Sequence, residues 1–257
     1  MRLYDRGRHF RLCYFEFRNE KEKSLMSRKL IDVTGTINNG MWNYDEPFPN
    51  INIKPLPPVG WLEGITVGCE IFDGFHSQTG TYLETPAHSY GNRNSYALID
   101  LKPEQMYEIP CVVLNVGMWD IDHQLGRRGI TVEDLEACFN AKDIKEGDAI
   151  LLGTGWGRYW FHPENLDYCP YITYDAMMWL LDKKPCLIGS DTARWDHLEH
   201  PQNHFGAFYE AGILMAAGFV DLEQCSAPRC KLTILPPKFA ITSVAPARAI
   251  IIEETDD

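Results

Sequence analysis

The chain has no apolar run long enough to cross a bilayer. Its longest, GILMAAGFV at 212–220, is well short of the about 20 residues that a membrane helix needs, so a soluble protein is expected. It also lacks a basic stripe. With a formal net charge of −12 and a pI near 5.1, it does not offer the clustered Lys and Arg that bind duplex nucleic acid. Its eight cysteines include no CxxC pair, and no second ligand pair follows Cys225 and Cys230 to complete a zinc knuckle. Several cysteines sit in apolar stretches such as CVVLNVG and PCLIGSD, where a thiol behaves as a small core residue. With no secretory signal, they read as reduced and the protein as cytoplasmic.

Familiar catalytic motifs are missing as well. There is no GxSxG elbow, no GxxxxGK loop and no HExxH helix. GTGWGR at 153–158 approaches a dinucleotide-binding loop but has Arg158 in place of the third glycine.

What is present is enough for a large core. A chain of 257 residues with 45% hydrophobic and 12% aromatic residues is expected to form one domain. Residues 1–25 differ from the rest, with seven Lys or Arg against four Asp or Glu. Met26 opens MSRKLIDVTGTINNGMW as a natural start, so 1–25 are expected to be a translated leader or a disordered arm and 26–257 the folded domain. As an arm, Phe10, Tyr14, Phe15 and Phe17 would be its contacts.

From there the pattern predicts a strand over KLIDVTGTI, a proline-rich loop over EPFPNINIKPLPPVGW and a strand over ITVGCEIF. Pro55, Pro57 and Pro58 exclude helix or central strand in that loop. Next come a strand at 111–117, a helix at 131–141 capped by Thr131 with Asp134 three residues on, and a strand at 149–156. A helix at 174–183 and a strand at 185–191 lead to a His-rich loop, kept out of regular helix by Pro201. FGAFYEAG reads as helix, and ILMAAGFV, KLTILP and ARAIIIEE complete the alternation. The pattern predicts α/β layers around a buried mixed sheet.

Two polar clusters carry candidate chemistry. One is SQTGTYLETPAH at 77–88, with Gln78, Tyr82, Glu84 and His88. The other is DTARWDHLEHPQNH at 191–204, with Asp191, Asp196, His197, Glu199, His200 and His204. Asp191, after a buried strand, suits a loop-fixing acceptor as well as a site group. His197 and His200 read as solvated loop residues. Trp42 and Trp61 fit either a core or a substrate wall.

These stretches resemble the cyclase family, which includes kynurenine formamidase and isatin hydrolase. KLIDVTGTINNGM is similar to the family's N-terminal strand and turn, and TGTYLETPAH falls on its His-x-Gly-Thr-His-x-Asp-x-Pro-x-His signature. LLGTGW, IGSDTARWD and LPPKFAITSVAPARAIII follow in the family's order, so the resemblance runs from Lys29 to Ile252. It implies a swivelling β/β/α-type domain and a homodimer or homotetramer. It also implies hydrolysis of an amide, formamide or small cyclic amide or lactone, aided by a divalent metal, zinc or manganese. The chain departs from the family where the signature places two histidines and an aspartate on the metal, because Gln78, Tyr82 and Glu84 stand there. A later metal-ligating glutamate falls on Ala216 or Ala217. His88 matches the proton-transfer histidine, and His204 a downstream one.

A Gln amide oxygen and a protonated Tyr are weak zinc ligands, whereas oxygen donors suit a harder cation. Three hypotheses follow. In the first, a rebuilt site uses Gln78, Glu84, His88 and His204 for manganese or zinc and hydrolyses an amide. In the second, a metal-free enzyme uses Glu84 as base, Tyr82 as oxyanion donor and His88 as the partner in an acid and base pair. Trp42, Trp61 and Gln78 are the candidate substrate contacts in either enzyme, and His204 supports the leaving group or metal in the first. In the third, an inactive scaffold binds a small aromatic or carboxylate ligand.

Overall fold

The computed structural model describes residues 27–57, 59–62, 65–89 and 95–255. The expectations for residues 1–25 and for the Trp61 side chain fall outside the described residues. In chain order the strands are β1 (Ser27–Asp32), β2 (Asn52–Pro55), β3 (Val59–Leu62), β4 (Ile65–Val67), β5 (Glu70–Asp73), β6 (Tyr82–Glu84), β7 (Ile109–Asn115), β8 (Gly129–Ile130), β9 (Ala149–Gly153), β10 (Tyr171–Ile172), β11 (Leu187–Ser190), β12 (Leu214–Ala217), β13 (Cys230–Leu235), β14 (Val244–Pro246) and β15 (Arg248–Thr255). The α-helices are α1 (Val132–Glu136), α2 (Asn165–Tyr168), α3 (Tyr174–Asp182) and α4 (Phe205–Glu210).

The near-continuous apolar runs CVVLN, AILLG and LIGS belong to strands covered on both faces, the environment that removes the need for polar alternation. They lie in a nine-stranded mixed sheet of order β1-β15-β13-β7-β9-β11-β12-β6-β14. Its centre, β7-β9-β11-β12, is parallel, and the remaining neighbours pair antiparallel. Side chains alternate between two cores. Val112, Leu114, Ile150, Leu152 and Ile188 face one, while Cys111, Val113, Ala149, Leu151 and Leu187 face the other. The first core is closed by Leu135 of α1, Ala176, Met177 and Leu180 of α3, and Phe208 of α4. Burial of each large side chain contributes about 1.5–3 kcal/mol.

Local signals act as expected at the helix starts. Thr131 and Asp134 form a reciprocal capping box on α1, and Thr173 caps α3 by accepting from the Ala176 amide at 3.3 Å. Other boundaries shift for identifiable reasons. The helix expected over 131–141 ends at Glu136, and past it Asn140 turns its amide into the sheet to donate to the Val113 carbonyl at 3.0 Å. The strand expected over KLIDVTGTI ends at Asp32, whose carboxylate accepts from the Thr34 amide at 3.2 Å. ITVGCEIF divides into β4 and β5, which pair with β3 and β2 in separate ribbons. Those partners arise inside the proline-rich segment read as loop. Pro55 is accommodated because its strand belongs to a two-stranded ribbon and not to the main ladder.

Candidate active site

The stretch 77–88 enters the sheet as β6, with β12 on one side and β14 on the other. Glu84 lies between Met215 and Val244, and Tyr82 between Ala217 and Pro246. Positions two apart share a strand face, so Tyr82 and Glu84 project together while Leu83 enters the opposite core. The entry is rigid. Gly80 takes φ +80°, a left-handed conformation that favours glycine. Thr81 donates to the Gly218 carbonyl at 2.5 Å and accepts from the Gly35 amide at 2.9 Å. After β6, the Thr85 amide is held by the Ser243 carbonyl at 2.8 Å, and Pro86 opens the single turn that carries His88.

Tyr82 and Glu84 face a cavity of about 380 Å³ that also meets Gln78, His88, Tyr44, Phe48, Arg194, Trp195, Phe205, Tyr209 and Met215. A larger cleft of about 530 Å³ contains none of these residues. Its charged groups, Asp32 and Arg248, are bonded to each other.

Glu84 is the chemical centre of the cavity. Its residue is 2% exposed, and burial pushes its carboxyl up to about 7, against a smaller downward pull from the hydrogen bond given by Tyr209. That hydroxyl lies 2.7 Å from Oε1. Oε2 has no protein partner among the described residues.

Beside Glu84 runs a chain of hydrogen bonds with one consistent direction. Tyr44 donates its only proton to the Ala193 carbonyl at 2.6 Å. The 2.9 Å contact between the Tyr44 and Tyr82 hydroxyls must therefore be donated by Tyr82. The Gln78 side chain lines the cavity together with this pair. Burial and then Glu84 raise Tyr82 well above the ordinary phenol range, so it is neutral.

The other candidate residues fall into groups. His88 sits exposed at the cavity rim, its imidazole lowered by partial burial, 6.5 Å from the Tyr209 ring. His204 is fully buried but does not line the cavity. One ring nitrogen faces the Trp195 carbonyl at 3.3 Å, and Nδ1 has no partner among the described residues. Trp42 is core, packed edge-on against Tyr44 and Trp160 behind the wall. His197 lies in its loop with Nδ1 accepting from the Glu199 and His200 amides. Asp191 accepts from the Thr154 amide and hydroxyl, both at 2.8 Å, and from the Trp156 amide at 3.0 Å. It fixes the loop after β9 to the end of β11. Asp196 lines the cavity but spends one oxygen on the His197 and Gln202 amides.

Tyr44, Tyr209 and Arg194 carry no sequence signal as site residues. Tyr44 arrives on the loop after β1. Tyr209 lies one turn after Phe205 on α4, with the two rings stacked at 5.8 Å. Arg194 reaches the mouth and pairs with Asp45 of the opposite loop at 2.5 Å.

The donor set does not fit a zinc or manganese ion. Among the described residues no group of three or more His, Cys, Asp and Glu is placed to hold one. Gln78 offers a neutral amide, Tyr82 a neutral hydroxyl whose proton goes to Tyr44, and Glu84 a carboxyl already bonded at one oxygen. Met215 and Ala217 put apolar groups on the neighbouring strand, next to Glu84 and Tyr82.

Several solved structures share the fold. An isatin hydrolase bound to the product analogue thioisatinate aligns with TM-score 0.71 and 16% identity, over 89% of this chain and 93% of that one. Isatin hydrolase A from Ralstonia solanacearum gives 0.69 and 18% over 88% and 92%. A protein described as a "predicted metal-dependent hydrolase from Bacillus stearothermophilus" gives 0.63 and 22% over 88% and 98%. No curated protein matches the chain significantly in sequence. Residues 31–197 match the family described as "Putative cyclase". The match spans well over half of the sequence, and the chain belongs to the cyclase family.

Proposed function

We propose that this protein is a hydrolase, with a small cyclic amide or lactone carried by a flat ring as the substrate class that suits the cavity. The observation that carries the proposal is Glu84, a buried carboxyl held at one oxygen by Tyr209 and open at the other to an aromatic-walled space. A group titrating near neutrality is suited to take and return a proton.

In the ring-opening step, Glu84 in its ionised form removes a proton from water as the water oxygen bonds to the carbonyl carbon. The carbonyl oxygen gains negative charge. Collapse of that adduct breaks the carbon–nitrogen or carbon–oxygen ring bond, and the leaving atom takes the proton that Glu84 removed from water, which restores the carboxylate. The product is a carboxylic acid bearing the released amine or alcohol. Tyr44, Phe48, Phe205 and Tyr209 provide ring surfaces for a flat substrate. His204, buried outside the cavity against the Trp195 carbonyl, takes no part in these steps.

The test is ring opening of isatin, related cyclic amides, aryl lactones and aryl formamides by the wild type and by Glu84→Gln. Turnover of one class, reduced at least about 100-fold in the variant, is expected. Full turnover by the variant overturns the assignment. Saturable binding of an aromatic carboxylate without turnover of any class would favour the second reading, a binding protein. That reading draws on the same ring surfaces and on the partly buried Arg194 guanidinium at the mouth.

A further inference from the structure

We propose that the directed hydrogen-bond chain from Tyr82 through Tyr44 to the Ala193 carbonyl stands in the place of a bound cation, and that this cavity is organised without metal. Solved proteins of this fold include one described as a "predicted metal-dependent hydrolase", so the difference lies in the residues of this chain.

A cation needs lone pairs aimed at one point and enough negative charge to offset its desolvation. This cavity aims protons instead. The Tyr44 proton goes to Ala193 O and the Tyr82 proton to Tyr44. Each link fixes the direction of the next because a phenol has a single proton to give. The chain ends on a backbone carbonyl and so leaves no donor over. Glu84 and Asp196 are the carboxyls that line the cavity, and one oxygen of each is taken, by Tyr209 at 2.7 Å and by the His197 and Gln202 amides. A cation entering here would meet hydroxyl protons already committed and apolar Met215 and Ala217 on the neighbouring strand, with no group of three or more His, Cys, Asp and Glu among the described residues placed to hold it.

The chain also joins separate parts of the wall. Tyr82 lies on β6, Tyr44 comes from the loop after β1 and Ala193 from the loop after β11. A coordinated ion ties separate segments to one point. Here the hydroxyl chain does the same by linking them in series.

The experiment uses the full chain purified without metal-affinity chromatography or chelator. Metal content is measured by mass spectrometry, and zinc and manganese are titrated by calorimetry against wild type, Glu84→Ala and the triple variant Gln78→His, Tyr82→His, Glu84→Asp. The wild type is expected to hold substoichiometric metal and to show no site that depends on Glu84. The triple variant, with the wild-type far-ultraviolet spectrum, is expected to bind one zinc ion per chain, with affinity about 100-fold or more above wild type. Stoichiometric metal in the wild type that is lost in Glu84→Ala overturns the proposal, and so does a folded triple variant with no gain in zinc affinity. If the triple variant does not fold, the wild-type and Glu84→Ala measurements decide alone. None of these readouts requires turnover, so they stand or fall apart from the proposed hydrolysis.

Discussion

Glu84 and Asp191 are both buried carboxyls at strand ends, and both are pushed up by burial, to about 7 and about 6. Their surroundings assign them opposite tasks. Asp191 is met by three donors from one loop, so its charge is used up in holding β9 and β11 in register. Glu84 is met by one among the described residues, and its other oxygen faces whatever enters the cavity. The lesson is that burial alone does not mark a site. The number of protein donors aimed at the group does.

The largest test of that contrast is activity in Glu84→Gln. A loss of about 100- to 10,000-fold in kcat/KM is expected, with a thermal midpoint unchanged or raised because an ionisable buried group has been removed. Activity and thermal melts on one preparation check it, and a variant that melts lower and keeps its rate would erase the distinction. Asp191→Ala should show the reverse. Two buried amides and a hydroxyl lose their acceptor, at a cost of about 3 kcal/mol or more in urea unfolding.

The pH dependence of stability separates the two groups further. Both folded values lie above the ordinary values of 4.5 for Glu and 3.8 for Asp, so the folded state binds more protons through the intervening range. Stability is therefore full below about pH 4 and falls as pH rises toward 6 for Asp191 and toward 7 for Glu84. Glu84→Gln should abolish the part of the fall lying between 4.5 and 7, about 3 kcal/mol. Urea titrations from pH 4 to 8 measure it, and an unchanged slope in the variant would show that Glu84 is not the group responsible.

Smallest in effect is Tyr209→Phe. It deletes one hydrogen bond to Glu84, so about 1 kcal/mol of stability and roughly a tenfold change in rate are expected. Steady-state kinetics beside urea unfolding would show whether Glu84 needs that single donor.

Much of this molecule is legible from local pattern. The continuous apolar runs at 111–115, 149–153 and 187–190 require cover on both sides, and they occupy the middle of the sheet. The threonine caps of α1 and α3 act through residues three positions away, so they too are visible in the sequence. Strand limits are less so. Asp32, Asn140 and Pro55 shift the boundaries through contacts or strand placement that only the fold supplies.

The site divides the same way. Spacing along β6 put Tyr82 and Glu84 on one face, because strand geometry has a period of two. Sequence alone determined the family and the replacement of the signature's histidines, whereas the strand that aligns Tyr82 with Glu84 came from the fold. It did not place Tyr44, Tyr209 or Arg194 in the cavity, and it did not distinguish His88 at the rim from His204 behind Trp195. Nor did it assign Asp191 to the scaffold. Only the tertiary structure decided these points, since each depends on segments distant in the chain meeting at one place. The direction in which a hydroxyl gives its proton is fixed by the partners gathered there.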